Sequence, residues 1–368
     1  MDPNFTAMGH DVKTVHWHVG SIARRFSWEL DYLSTHYEFL SLETRMYLIL
    51  RIFEMVYYPI LALVGASANL LTIVILSQGK CGLSKCPTRY LVSMAVADLL
   101  VIIIDLILRH IPIVYDEHFI FVKSIPVCNI HAIILFAVTD CSVWFTVAFT
   151  FDRFVAICCQ KLKCKYCTES VAFMVLGTVT VLSCLKNIFW FFIFTVEYLL
   201  SNFPWFCFVR WEYLESPLWA TIEFFHHILT PGVPFALVLL LNALTIRHIV
   251  VANRARKRLR SNSNGSKQKD LEMKTRKKSI ILLFVISANF IVLWVMLLIY
   301  SVLERMHYLG YEVVMLPNFT REIGFILQLL NCCTNTCIYA MTQTKFREQM
   351  KIIVKYPFSS IVKLNDEK

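Results

Sequence analysis

Charge is scarce in this chain. Asp, Glu, Lys and Arg make up 17% of its 368 residues, 57% are hydrophobic, and the mean hydropathy is +0.58. A water-soluble domain keeps about a quarter of its residues charged, so the scarcity excludes one and requires a multispanning membrane protein. Further absences narrow the class. Met1 to Arg45 holds no charged-then-apolar secretory leader, so the first membrane helix is expected to act as its own uncleaved signal anchor. No internal repeat is visible, which argues against a transporter built from inverted halves. No constellation of nucleophile, base and orienting group is present, so no enzyme is expected. Cys164-Lys-Tyr-Cys167 has the spacing of a zinc pair but lacks a second ligand pair nearby. No cysteine follows Cys337, which leaves a palmitate anchor without an acceptor.

What is present is seven apolar runs, at roughly 47–77, 88–111, 126–158, 168–199, 217–250, 279–303 and 319–341. Each is near the ~20 residues a spanning helix needs. The formal net charge of +10 is not spread over a nucleic-acid-binding face. It gathers at Lys80 and Lys85, at Lys161 to Lys165 and in 247–278, whereas loops 112–125, 200–216 and 304–318 are mixed or acidic. That alternation places the basic loops in the cytoplasm and the N-terminus outside. The expected fold is therefore an all-α membrane protein. An extracellular N-terminal segment covers 1–46, seven membrane helices 47–341, and a short amphipathic cytoplasmic helix and tail 342–368. Ser261 to Ser266 reads as disordered. Among the glycosylation sequons Asn4-Phe-Thr6 lies outside, Asn318-Phe-Thr320 sits close to the membrane, and Asn264-Gly-Ser266 is cytoplasmic, so Asn4 is the expected acceptor. Most of the thirteen cysteines fall in apolar runs or basic loops. Cys128 and Cys207 alone fall on the outer side, and compartment pairs them.

The stretch that organises the chain runs from Cys128 to Cys159. It is apolar across the bilayer and ends in Asp152-Arg153, just before the Lys-rich segment. Such a pair is inexpensive at the interface, where a bare stop-transfer role would also account for it. Ionisable and amide groups at membrane depth are functional suspects by default. Asp98 is the clearest, with Asn69 on the first run, Ser142 on the third and Asn331 and Asn335 on the seventh. A carboxylate among neutral oxygens and amides either holds a small cation or forms a hydrogen-bonded structural cluster.

Ser-Val-Trp-Phe-Thr-Val-Ala-Phe-Thr-Phe-Asp-Arg-Phe-Val-Ala-Ile-Cys (142–158) resembles the third helix of rhodopsin-like (class A) G-protein-coupled receptors. Asn69, Asp98, Arg153, Trp294 and Asn335 to Tyr339 stand in the order and helices of that family's signature residues, and the likeness covers roughly 47–345. The resemblance implies that Asp152 and Arg153 couple to the G protein, that Trp294 is a toggle beneath the ligand, and that Asn335 and Tyr339 rearrange on activation. It implies a sodium ion, as an allosteric modulator, among Asp98, Ser142, Asn331 and Asn335; no other cofactor is expected. Helix seven lacks the usual proline, Met296 stands where a kink proline is expected, and Asn242 replaces a common tyrosine. Leu-Leu-Asn331 with the proline-free Asn335 to Tyr339, Lys345-Phe-Arg347, Asn242 and Ala-Asn-Leu-Leu-Thr-Ile-Val-Ile-Leu-Ser-Gln78 resemble the group around the orphan G-protein-coupled receptor 139. Arg276 stands where many relatives carry an acid that locks Arg153, which puts that lock in doubt.

The outer half is expected to hold the ligand. Its candidates are Arg109; Leu135, Phe136, Thr139 and Asp140; Glu223, His226 and His227; Trp294, Leu298 and Ser301; and Arg321, Glu322, Phe325 and Gln328. Aromatics with charges of both signs suit a small amphipathic or zwitterionic ligand. Asp140 with His226 or His227 would equally be an internal pair, with Lys186 a further buried cation held by a structural partner. The expected partners are a small-molecule or peptide ligand, a heterotrimeric G protein and the bilayer of the plasma membrane, with no nucleic acid. The resemblance hints at aromatic amino acids or peptides and Gq-type coupling. A channel or secondary transporter using the midplane cluster is the rival reading. A retinal protein is excluded because 319–341 contains no lysine.

Overall fold

The computed structural model describes residues 19–115, 127–198, 207–209, 216–259 and 267–353. Helix α1 (Val19–His36) comes first. Seven helices long and apolar enough to cross a membrane follow: α2 (Leu42–Ser77), α3 (Lys85–Tyr115), α4 (Cys128–Cys158), α5 (Glu169–Ile193), α6 (Pro217–Arg254), α7 (Lys278–Tyr308) and α8 (Asn318–Thr342). A last helix, α9, occupies 344–353 and buries Phe346 against Tyr339 of α8. Lipid offers no hydrogen bonds, so each span satisfies its backbone internally.

Residue type sets the orientation of each span. On α2, Leu42, Ile49, Val56, Leu63 and Leu70 recur every seven residues and are exposed, facing the lipid. The opposite stripe, Tyr58, Ala62, Gly65, Asn69 and Thr72, is buried. The most apolar windows of α4 and α8 are 61% buried, against 22% for α5 and α6, so α4 and α8 form the centre and α5 and α6 the rim. Two glycines permit close approach. A Cβ at Gly65 would overlap Cys333 Sγ of α8, and one at Gly324 would lie 3.1 Å from the Leu297 backbone of α7. Two helix starts are capped by side chains: Ser41 Oγ accepts from Thr44 N at 3.2 Å, and Thr168 Oγ1 from Val171 N at 3.3 Å, each worth about 1 kcal/mol. Two spans loosen. α3 takes π-type hydrogen bonding over Ile102–His110, and α6 over Ile228–Gly232, where Thr230 leaves helical geometry ahead of Pro231.

Four boundaries differ from the sequence reading. The fourth run does not stay helical to 199. Helix stops at Lys186, one short turn covers Trp190–Ile193, and Phe194–Tyr198 is a strand, β1. It pairs antiparallel with β2 (Cys207–Val209), the departure from an all-α architecture among the described residues. The physical cause is Asn187, whose amide turns back to Ser183 O at 2.8 Å and across to Asp140 at 2.6 Å. Segment 1–46 contains a packed helix. Much of 247–278 is helical, since the α6 helix continues to Leu259 and the α7 helix starts at Lys267. The α7 helix also continues past 303 to Tyr308, so Glu304 and Arg305 are helical residues. Ser261 to Ser266 lies outside the described residues.

α1 folds back on α2 as an antiparallel hairpin. Near the turn, Arg45 donates to Glu38 O at 3.2 Å and Leu40 O at 2.8 Å; further along, Arg51 Nε lies 3.3 Å from Glu29 Oε1. Still further from the turn, Phe26 packs against the cluster of Met55, Tyr58, Leu106 and Ile326 that joins α2, α3 and α8. α1 therefore sits over the end of the bundle formed by these three helices.

Candidate functional site

The two ends of the bundle differ in chemistry. At one, Asp152 is fully buried and held from two sides: Arg153 Nε donates to it at 2.9 Å, with a second bond from Nη2, and the Cys86 thiol donates at 3.0 Å. Arg153 thus lies along α4, and its described link to α7 is one long hydrogen bond from Nη1 to Ser279 Oγ, 3.4 Å. The Arg276 side chain lies outside those described. The Cys167 thiol, in the turn before α5, donates to Asp152 O at 3.7 Å. Burial, with the Asp152 charge added, pushes this thiol up to about 12.

At mid-depth, Ser142 Oγ donates to Asp98 Oδ1 at 2.6 Å and Asn335 Nδ2 to Oδ2 at 2.7 Å. Asn331 turns elsewhere: its Oδ1 accepts from Asn289 Nδ2 of α7 at 2.9 Å, and the same amide donates to Thr334 Oγ1 at 2.9 Å. Three of the four sodium candidates therefore meet. Asp98 and Ser142 present the hard oxygens that sodium takes, and Asn335 now presents its amide nitrogen. Asn69 donates to Gly65 O at 3.0 Å and Cys332 O at 2.8 Å, tying α2 to α8. Trp294 is buried with Phe290, Phe235 and Val143, and neither its indole N–H nor the Tyr339 hydroxyl has a hydrogen-bond partner among the described residues.

The half away from Arg153 separates the ligand candidates into three groups. On α4, α5 and α6, Phe136 stacks on Trp190 at 4.1 Å, and His226 meets Phe136 edge-on at 5.0 Å and Trp190 at 5.4 Å. The buried His226 Nδ1 and Thr139 hydroxyl have no hydrogen-bond partner among the described residues; Leu135 is buried and His227 adjoins His226 at 5.5 Å. Below them Asp140 pairs with Lys186 at 2.7 Å, and Lys186 also donates to Thr230 Oγ1 at 3.1 Å. Among the described residues the ion partner of Asp140 is thus Lys186, not a histidine: α5 presents a long cation directly across from α4.

The second group joins α3 to α8. Arg109, 3% exposed, pairs with Asp105 at 2.6 Å and donates to His110 at 2.6 Å. The ring of Phe325 lies 5.2 Å from its guanidinium. Gln328 is buried one turn further along α8. The third group is on the ends of α6, α7 and α8. Glu223 pairs with Arg305 at 2.7 Å, Arg321 with Glu322 at 3.4 Å, and Glu304 stands between the two arginines, with Ser301 buried and Leu298 packed against the cluster that holds Trp294. Asp105, His110, Trp190, Asn187, Thr230, Asn289, Glu304 and Arg305 are the partners that the sequence did not single out. A charge or amide inside an apolar run was the available signal for most of them.

Cys128 is disulfide-bonded. Cys207 opens β2 and its side chain lies outside those described, as Asn4 lies outside the described residues. Asn318 begins α8, where its Oδ1 accepts from Tyr300 at 3.2 Å. Compared with known families, the sequence matches the family model of the 7 transmembrane receptor (rhodopsin family) over residues 68–339.

Proposed function

This chain belongs to the rhodopsin family of seven-transmembrane receptors, and from that premise we propose that it carries an extracellular signal to heterotrimeric G proteins across the plasma membrane. The N-terminus and α1 are outside; the Arg153 end, with α9 and the basic α6–α7 connection, is cytoplasmic. The observation that carries the reading is the state of Arg153. It is tied lengthwise to Asp152, and among the described residues one hydrogen bond, to Ser279, joins it to α7. A bond of that kind is worth about 0.5–1.5 kcal/mol, so this polar tie adds little to the apolar packing of α4 on α7 that a ligand must loosen to open a groove for the G protein.

The ligand is a small amphipathic or zwitterionic molecule, with aromatic amino acids or short peptides as the leading class. What supports this is the wall of Phe136, Trp190 and His226 lying next to the Asp140–Lys186 and Glu223–Arg305 pairs. An aromatic ring and both charges of a zwitterion find counterparts there. Membership of the group around the orphan G-protein-coupled receptor 139, with Gq-type coupling, rests on the proline-free seventh helix, Asn242, Lys345-Phe-Arg347 and the stretch 68–78. The sodium ion, as an allosteric modulator, would be held by Asp98 and Ser142.

The test is a G-protein dissociation assay in cells across all subtypes, with and without a panel of aromatic amino acids. At matched surface expression, Arg153→Ala is expected to reduce the signal at least about tenfold, a loss of about 1.4 kcal/mol of coupling. Wild-type signalling by Arg153→Ala, or ion flux in proteoliposomes with no G-protein response, would sink the proposal.

A further inference from the structure

The break in α6 is tied to two neighbouring helices through one oxygen. Thr230 leaves helical geometry there, and its Oγ1 accepts from Lys186 Nζ of α5 at 3.1 Å and from Trp144 Nε1 of α4 at 3.2 Å. Lys186 in turn grips Asp140 of α4, 2.9 Å from Oδ1 and 2.7 Å from Oδ2, and the Thr230 hydroxyl acts on the same carboxylate. An ammonium has three protons, so two contacts to Asp140 and one to Thr230 account for them. The Asp140 side chain is 3% exposed, and a further donor reaches it, Asn187 Nδ2 at 2.6 Å, which also donates to Ser183 O at 2.8 Å. Asn187 is itself held by Trp190, whose Nε1 donates to its Oδ1 at 3.2 Å. Trp190 is the residue that stacks on Phe136 at 4.1 Å. Hydrogen bonds therefore run unbroken from the aromatic wall, through Asn187, Asp140 and Lys186, to the point where α6 breaks. Past the break, Phe235 of α6 meets Phe290 of α7 edge-on at 5.0 Å.

We propose that Lys186 is a positioning residue, a pin that holds the α6 break to α5 under the control of Trp190, and that withdrawing it lets the rest of α6 turn against α7. When the indole N–H leaves Asn187, that side chain loses the bond that fixes its orientation, and Asp140 loses a donor. The Lys186 proton on Thr230 then turns to the carboxylate, since an anionic oxygen is a stronger acceptor for an ammonium than a hydroxyl is. Thr230 keeps its links to α4 and loses the one to α5. From Val233 onward α6 is regular helix, so a turn at Thr230 is carried rigidly to Phe235 and from there to Phe290. A ligand ring that enters the stack of Phe136 and Trp190 moves the indole and so draws the pin. The most apolar window of α5 is only 22% buried, yet through Lys186 this outlying helix takes part in transmission.

The signalling arm rests on the receptor reading; the α6 arm does not. In the full-length protein in nanodiscs, hydrogen–deuterium exchange of residues 226–238 is compared among wild type, Trp190→Phe, Thr230→Val and Trp144→Phe. Trp190→Phe keeps a ring against Phe136 and removes the N–H; Thr230→Val removes the accepting oxygen at nearly the same shape. Each is expected to speed the exchange about fivefold or more, the lower end of common allosteric couplings, and the two together no more than the stronger alone. Trp144→Phe takes away the other donor to Thr230 and leaves the pin, so it is expected to exchange like the wild type. Unchanged exchange in Trp190→Phe overturns the proposal, as does a Trp144→Phe effect equal to that of Thr230→Val, which would mean that loss of any bond loosens the break. In cells, at matched surface expression, Trp190→Phe and Thr230→Val should each raise ligand-independent G-protein turnover. Variants that do not exceed a responsive wild type overturn the link to α7. Faster exchange with no G-protein response from any form, wild type included, supports the pin and counts against the receptor reading.

Discussion

Asp98 accepts hydrogen bonds at both carboxylate oxygens, from Ser142 and Asn335, so a cation must share it with donors already in place. If sodium binds there, replacing choline by sodium at constant ionic strength raises the melting temperature of the purified receptor. Sodium at ten times its dissociation constant adds about 1.4 kcal/mol. Asp98→Asn should abolish the shift, and a wild type indifferent to sodium would leave the cluster purely structural. Gly65 makes the opposite kind of demand, for space. A Cβ there would overlap Cys333 Sγ and lie 2.8 Å from Ile102 Cδ1. Gly65→Ala is therefore expected to destabilise by about 1–3 kcal/mol, with partial recovery on adding Cys333→Ala; a thermal-shift assay on the two forms decides it. Only Asp98 stood out beforehand. A carboxylate in an apolar run announces itself, whereas the need for glycine at 65 depends on how near α8 comes, which no local pattern records.

Between elements, polar contacts were hardest to read ahead. The seven spans were legible because lipid demands ~20 apolar residues at each crossing, and Asp98, Ser142 and Asn335 meet as their depths suggested. Depth does not give azimuth. Asn331 faces Asn289 of α7, and Asp140 faces Lys186 of α5, because helix rotation about its own axis is set by packing all round it. β1 was missed since an apolar run rich in aromatics and β-branched residues fits strand and helix alike. α1 was missed because its mixed-charge sequence gains order from docking on α2, not from its own composition. The Asp140–Lys186 pair provides the check at this scale. Asp140→Ala leaves a largely buried ammonium without its carboxylate and should cost about 3–5 kcal/mol. Adding Lys186→Met should restore most of it, as read by melting temperature. A double variant as unstable as the single would mean that Asp140 acts through something other than its cation.

Across the whole molecule, Cys128 carries a disulfide at the start of α4, the most central span together with α8. With Cys207 as its partner, Cys128→Ser and Cys207→Ser should each lower surface expression, and the double change should match either one. Strictly additive losses would assign the cysteines independent roles. The connection between the two ends of the receptor is α7, a single helix of 42 residues from Lys267 to Tyr308 with neither proline nor glycine inside it. Such a rod swings; it does not bend locally. Its amide ties to α8 at Asn289 make a natural fulcrum. At 1.5 Å per residue, the arm from there to Ser279 is about 15 Å and the arm to Arg305 about 24 Å. The receptor is thus a lever with unequal arms. A modest outward stroke beside Arg153 demands a longer inward stroke at Glu304 and Arg305, and a small force applied at that rim is multiplied where the G protein would engage.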